Sequence, residues 1–523
     1  MNGLPGRARV FCARAASTYW SYLIVSAAFV VSRVIYRLVY DVRFDAQPVT
    51  YFIQYIPIWL LKHDFVRSIL YLHDQAPLQN VMAGGIWVLL GPARAEVVLD
   101  GLYLVIGYVF GLTLLASVRR LGVPSILATL GVSLLIASPV AVVYESWCFY
   151  HLPVVLCFSL ALYGLLRHYE SGSFRSGLFF FSMLGVAALF RSIYGPLWMT
   201  AITAALLVRP PNAVAGSRRA PRRTLLLAAL APILIVTANV VKTRLLTGES
   251  MGAGMAWSNL PVKIWDYIPS MERERLKEEQ LVSRAPELEA YDTVDGLPPL
   301  RTDRVAKTGV PLLDMDVTPD GQPNPHALSY VYEIDAYYAP DAKYLLVHER
   351  RAYIDSVVDG FRDWYCSSPV RDIILWRSRN VNQLKRLFDR LEGRKSRAAA
   401  MPALQIGLPL TFLYGVFRLI RPRTRIESER ARTAAIIFML LTIVYEGMGT
   451  MLISYGDFSR YRYEVDLFYF AIFAMLVTEV VRALAKVARR AHASFLPRTP
   501  AEGEPAPLAP ALQRNIPPET SMR

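Results

Sequence analysis

Apolar runs of roughly 20 residues, the length that crosses a hydrocarbon core, alternate with short polar stretches along most of this chain. The pattern predicts membrane-spanning helices near residues 19–40, 97–117, 122–143, 149–166, 176–191, 193–208, 224–241, 403–420, 433–453 and 465–485. Arg191 and Pro196 interrupt one long apolar stretch and divide the fifth span from the sixth. The fold class that follows is an all-α polytopic membrane protein of about ten transmembrane helices. Two long segments carry no span. Residues 41–96 form a first loop rich in Tyr51, Phe52, Tyr55 and Trp59, and residues 242–402 are long enough for a small mixed domain. Within the second, Ser368 caps a helix that Pro369 begins. Ile373, Trp376, Val381, Leu384, Phe388 and Leu391 then recur at helical spacing opposite a row of Arg and Lys, the pattern of a helix lying in the headgroup plane over 369–392. The expected organisation is an N-terminal transmembrane module (1–241), a large outer loop domain (242–402), C-terminal helices (403–490) and a disordered cytoplasmic tail rich in Pro and Ala (491–523). No internal repeat is visible.

Composition turns this into a firm exclusion. Only 19% of the 523 residues are charged and 54% are hydrophobic, whereas a soluble chain carries about a quarter charged. The net charge of +15 does not point to nucleic acid, because the basic residues flank the apolar runs and serve topology and anionic headgroups. Threading the spans gathers Arg7, Arg9 and Arg14, Arg119 and Arg120, Arg167 and Arg175, Arg209 to Arg223, Arg421 to Arg432, and Lys486 to Arg490 on one side. That side is cytoplasmic by the positive-inside rule, both termini lie on it, and residues 41–96 and 242–402 face outward. The basic stretch 371–397 is the exception, on the outer side. Arg7, Arg9 and Arg14 before an apolar run resemble a signal sequence, but no small-residue cleavage site follows, so an uncleaved first helix is expected. The cysteines lack metal-ligand spacing; Cys148 and Cys366 share the outer face, which leaves a disulfide between them open.

The candidate chemistry lies on that same face. Asp45 follows the first span, where low-dielectric surroundings raise proton affinity and suit a general base; a solvated loop aspartate is the plain alternative. His73 and Asp74 stand side by side, able to bind a metal or sugar hydroxyls, or to form an ordinary surface pair. Glu145 and His151 interrupt an aromatic belt. Arg191, with Tyr194 close by, is an ionisable group in an apolar stretch, which marks a site or a buried pair. Arg33 and Arg37 share that status four residues apart on one helical face, with snorkelling as their plain reading. Arg460, Tyr461 and Arg462 precede the last span; guanidinium groups grip phosphate bidentately, although Arg460 and Glu464 also have the spacing of a simple helical pair.

These elements in this order resemble the GT-C superfamily of integral membrane glycosyltransferases, nearest the protein O-mannosyltransferase and lipid A aminoarabinose transferase branch. An acidic residue follows the first span (Asp45), a His-x-x-Pro-Leu-like element comes later in the same loop (His73 to Leu78), and an Arg-Tyr-like element precedes the final span (Ser459 to Glu464). The chain departs from that branch in lacking a paired Asp-Glu at the first motif and in having Ala76-Pro77 for Pro-Pro at the second. The resemblance implies an inverting transfer of sugar from a polyprenyl-phosphate donor to a glycan, lipid or protein acceptor, at the outer face of a bacterial inner membrane. It implies Asp45 as catalytic base, Arg460 and Arg462 on the lipid phosphate with Arg191 in support, and His73, Asp74 and Glu145 orienting sugar or acceptor, with His151, Tyr194 and Tyr461 beside them. It requires no cofactor with certainty and leaves room for a divalent metal. Rival readings are a lipid or solute transporter or flippase, a polysaccharide polymerase or ligase using a polyprenyl-diphosphate donor, and a membrane scaffold without activity.

Overall fold

The computed structural model describes residues 4–208, 222–248, 253–288, 307–366, 402–421, 427–456 and 458–495. The expected helix at 369–392 and the tail beyond 495 lie outside them. All regular elements among the described residues are helices, and the only strand-like pairings there are isolated bridges. The helices that carry the expected spans are α1 (Leu4–Leu38), α2 (Pro92–Arg120), α3 (Ser125–Ile136), α4 (Pro139–Glu145), α5 (His151–Ser171), α6 (Phe174–Phe190), α7 (Pro196–Val208), α8 (Arg222–Thr247), α9 (Pro402–Ile420), α10 (Glu427–Ile453) and α11 (Phe458–Phe495).

Among the described residues six helices are long and apolar enough to cross a membrane: Tyr19–Leu38 within α1, α2, α5, α8, and Glu429–Ile453 and Arg460–His492 within α10 and α11. The expected third span is a broken one, α3 and α4 meeting at 55°. Pro139 explains the break, since it offers no N–H and its ring clashes with the preceding turn. The exposed backbone groups are satisfied locally: the Ser138 hydroxyl accepts from the Ala141 N–H at 3.3 Å, and Arg33 donates to the Ile136 carbonyl at 2.6 Å. The remaining apolar runs form the shorter helices α6, α7 and α9.

The first unit of the chain runs to Leu476. In it α5 packs on α2, α6 and α10, while α8 covers α6. Lipid tails are as apolar as the helix faces, so close packing by small residues draws such helices together. Gly107 shows this on α2, where a methyl group would overlap the Glu145 carboxylate. Gly172 ends α5 in the left-handed region at φ +65°, its N–H bonded to the His168 carbonyl. Several arginine-bearing turns meet at one end of this unit: Arg120 pairs with Glu170, Glu429 takes Arg418 and Arg432, and Arg432 closes on Gly122. At the far end of α5 lie the short helices Pro48–Tyr51, Ile58–His63 and Phe65–Tyr71 of the first loop. The second loop docks on the ends of α10 and α11, Lys263 donating to the Met451 carbonyl, Tyr353 to Leu452 and Arg462 to Trp364. In the second unit, from Val477, the described residues are the helical stretch to Phe495, with Arg482, Lys486, Arg489 and Arg490 exposed.

Candidate functional site

The site is built around the unwound segment between α4 and α5. Residues 146–150 leave the helix and form a bridge to the first loop: Asp45 N–H bonds the Ser146 carbonyl at 2.8 Å, and Cys148 N–H bonds Asp45 O at 2.9 Å. Non-helical backbone at such a position must find partners inside the protein. Tyr55 supplies one, its hydroxyl donating to Cys148 O at 2.7 Å, and Tyr103 another, donating to Phe149 O at 2.7 Å. This fixes Asp45 against Trp147, half-buried, its carboxylate accepting from the Gln47 N–H at 3.0 Å. Cys148 is enclosed here as a free thiol, and Cys366 is also free, so the disulfide left open by the topology is not formed.

Below this segment lies a buried ionic cluster. Arg191 leaves the end of α6 in an extended conformation and reaches Glu446 of α10 at 2.8 Å and Glu464 of α11. Glu464 also takes His151 Nδ1 at 2.5 Å and accepts from the Tyr194 hydroxyl at 2.7 Å. Both carboxylate side chains are fully buried and Arg191 is only 7% exposed. Tyr461 lies over the Arg191 guanidinium at 4.6 Å, and Arg460 lies over Tyr461 at 5.0 Å and Phe149 at 5.9 Å. The two guanidinium groups thus flank one tyrosine ring. Glu464 engages His151, Tyr194 and Arg191 by direct bonds, a role wider than the local pair with Arg460 that spacing permitted.

Three further ion pairs lie outside the cluster. Arg33 and Glu145 form a bidentate buried bridge at 2.8 and 2.7 Å, so Arg33 does not snorkel; Arg37 meets Asp100 at 2.5 Å. Arg462 bonds Asp466 at 3.2 Å and the Trp364 carbonyl. Tyr144 stacks on Tyr463 at 3.6 Å and 6°, tying α4 to α11.

His73 and Asp74 stand apart. His73 Nε2 bonds the His326 carbonyl at 3.0 Å, and the Asp74 carboxylate takes His326 Nδ1 at 2.8 and 2.9 Å. His326 Nε2 faces the Tyr55 carbonyl at 3.1 Å. Both ring nitrogens of His326 therefore face acceptors, which fits the doubly protonated ring. Burial pushes His326 down, but the Asp74 charge and bond outweigh it and hold the imidazole above its usual range. Burial pushes Asp74 up, and the imidazolium overturns that as well, leaving the carboxyl below its usual value. His73 falls below its usual value because burial dominates.

Asp45, Glu145, His151, Arg191, Tyr194, Arg460 and Tyr461 gather around residues 144–151, whereas Arg462 turns to Trp364 and Asp466, and His73 and Asp74 join the two loops and reach that segment through Tyr55. Sequence reasoning missed Glu446 and His326 altogether. Glu446 carried a usable signal, a lone carboxylate inside the 433–453 run. Among the described residues no group of three or more His, Cys, Asp or Glu is gathered that could hold a metal ion. No protein-family model matches the chain, and neither a curated protein nor a solved structure matches it.

Proposed function

We propose that this chain is an inverting GT-C-like glycosyltransferase that takes sugar from a polyprenyl-phosphate donor at the outer face of a ten-span membrane domain. The observation that carries the reading is that Asp45 and Arg460 both meet one short segment, Asp45 through its bridge to Trp147 and Arg460 through the Phe149 ring. An acid from the first loop and a guanidinium from the last helix thereby serve one locus. In the reaction the acceptor hydroxyl attacks the anomeric carbon opposite the phosphate and gives its proton to the Asp45 carboxylate. The new carbon–oxygen bond forms as the bond to the phosphate oxygen breaks, and Arg460 meets the charge that develops on the departing polyprenyl phosphate. Arg191, held by two carboxylates, acts here by orienting Tyr461 and Arg460 rather than by gripping phosphate.

Membranes carrying Asp45→Asn or Arg460→Lys are expected to lose transfer from labelled polyprenyl-phosphate sugars by at least about a hundredfold, with insertion unchanged. Lysine keeps the charge at 460 and loses the fork geometry. Wild-type turnover by both variants would sink the mechanism. A second reading, an ion-coupled transporter, is favoured by one feature, the Glu446–Arg191–Glu464 cluster inside the helix bundle. Substrate flux without product formation in vesicles would select it.

A further inference from the structure

The carbonyls of Cys148 and Phe149, in the unwound segment that meets Asp45, are taken by two phenols from different elements. Tyr55 of the first loop and Tyr103 of α2 each donate at 2.7 Å. Each phenol spends its one hydrogen there, so its oxygen can only accept from a further neighbour. One side chain serves both. The Gln79 amide nitrogen donates to the Tyr55 hydroxyl at 2.6 Å and to the Tyr103 hydroxyl at 3.3 Å. A carboxamide nitrogen carries two hydrogens, one for each phenol. All three side chains are buried, so bulk water does not compete for these bonds. Gln79 Oε1 is itself buried without a hydrogen bond among the described residues. Turning the amide over would aim that oxygen at two phenol oxygens whose hydrogens point elsewhere. Asn80, the next residue, opens the wide turn Asn80–Gly84 and holds the main chain on either side of Tyr55, accepting from the Ile56 N–H at 2.8 Å and donating to the Gln54 carbonyl at 3.0 Å. Adjacent amides thus fix one tyrosine, its backbone by Asn80 and its hydroxyl by Gln79.

We propose that Gln79 is a positioning residue for the transfer reaction, an inference that rests on Asp45 being its base. By donating to both phenols it dictates where their hydrogens point and keeps the carbonyls of 148 and 149 turned inward. It thereby holds the main-chain bridge that carries Asp45, in which the Asp45 N–H meets Ser146 O at 2.8 Å and the Cys148 N–H meets Asp45 O at 2.9 Å. Substitution separates this polarity from packing. Gln79→Met fills a similar volume and removes the donors, yet leaves both phenol hydrogens on the carbonyls. Gln79→Glu keeps the shape, but a carboxyl in either protonation state brings at most one hydrogen to two phenols. At least one phenol then turns its hydrogen toward the carboxyl and releases the carbonyl of 148 or 149. Packing alone makes the glutamate the milder change, being the closer isostere. Polarity makes it the worse one.

The test uses the full chain in nanodiscs and reads hydrogen exchange at the Asp45 and Cys148 amides, with the amides of α6 as the control for global folding. Exchange at the two bridge amides is expected to rise about threefold in Gln79→Met and about tenfold or more in Gln79→Glu, the scale of one hydrogen bond lost or misdirected, while α6 stays at the wild-type rate. The kcat for transfer should fall in the same order with KM little changed. Wild-type exchange in Gln79→Glu overturns the proposal, and so does a larger rise in Gln79→Met than in Gln79→Glu. If Gln79→Glu loosens α6 as well, Tyr103→Phe replaces it, and an unchanged Cys148 amide there is equally fatal. Exchange is read without substrate, so the two ideas fail separately. Full turnover by Asp45→Asn strikes the reaction and leaves the clamp, whereas an inactive Asp45→Asn beside a Gln79→Glu with wild-type exchange strikes the clamp alone.

Discussion

Arg191 illustrates how much a single side chain can fix in a membrane interior. It ends α6, holds Glu446 and Glu464 from two later helices, and lies beneath the Tyr461 ring. Taking it away strands two carboxylates that face each other in a low-dielectric setting, and breaking such a buried pair from one side costs about 3–5 kcal/mol. Arg191→Met is therefore expected to lower the melting temperature sharply in detergent or nanodiscs. Glu464→Gln keeps an acceptor for the Tyr194 hydroxyl and should do less harm. Equal melting temperatures for wild type and Arg191→Met would show the cluster to be energetically idle. None of this could be read from the neighbourhood of Arg191 in sequence, because its partners come from α10 and α11. Local spacing offered only Arg460 as a mate for Glu464, and tertiary packing adds Arg191, His151 and Tyr194.

At the scale of elements, the two long loops are latched by Asp74 and His326. The imidazole is held above its ordinary value of 6.5 and the carboxyl below its ordinary 3.8. The His326 contribution is complete below the unfolded histidine value and fades as pH rises through the higher folded one. The Asp74 contribution is complete above the unfolded carboxyl value and fades as pH falls through the lower folded one. The latch should thus be tightest in mildly acidic solution and loosen toward alkaline pH. Hydrogen exchange over residues 310–330 is the readout, corrected for the intrinsic pH dependence of the chemistry. Protection that stays flat with pH in wild type, or that matches His326→Gln, would contradict the latch. The helices themselves were legible, since every expected apolar run carries one, but the run at 122–143 was expected as a single span and divides at Pro139. The latch was not, for His326 sits in a stretch of Pro and mixed charge without periodicity.

For the whole molecule the governing question is which end faces the cytoplasm. α5 has 21 residues, about 30 Å of rise, so His151 and Ser171 stand a bilayer apart. The Arg120–Glu170 pair and the Arg418–Glu429–Arg432 group attend the Ser171 end, and Asp45 attends the His151 end. The arginine groups and Asp45 thus stand at opposite ends of the bundle, and the expectation that the arginine end is cytoplasmic makes a labelling prediction. In a background without native cysteines, Arg43→Cys should react with a membrane-impermeant maleimide in intact cells, and Arg167→Cys only after permeabilisation. Reaction of both from outside would invert or dissolve the topology.

The small bridge between Asp45 and Trp147 limits how this protein can vary. In extended backbone successive side chains point to opposite faces, and Phe44 is committed to Tyr103, with ring centres 5.4 Å apart. Adding or deleting one residue in the connector 39–44 would exchange the two faces, swinging the acid away and forcing a benzyl group into its place. The length of this connector is therefore under tighter constraint than its composition, and its diversification among descendants is expected to proceed by replacement, with gaps confined to other turns.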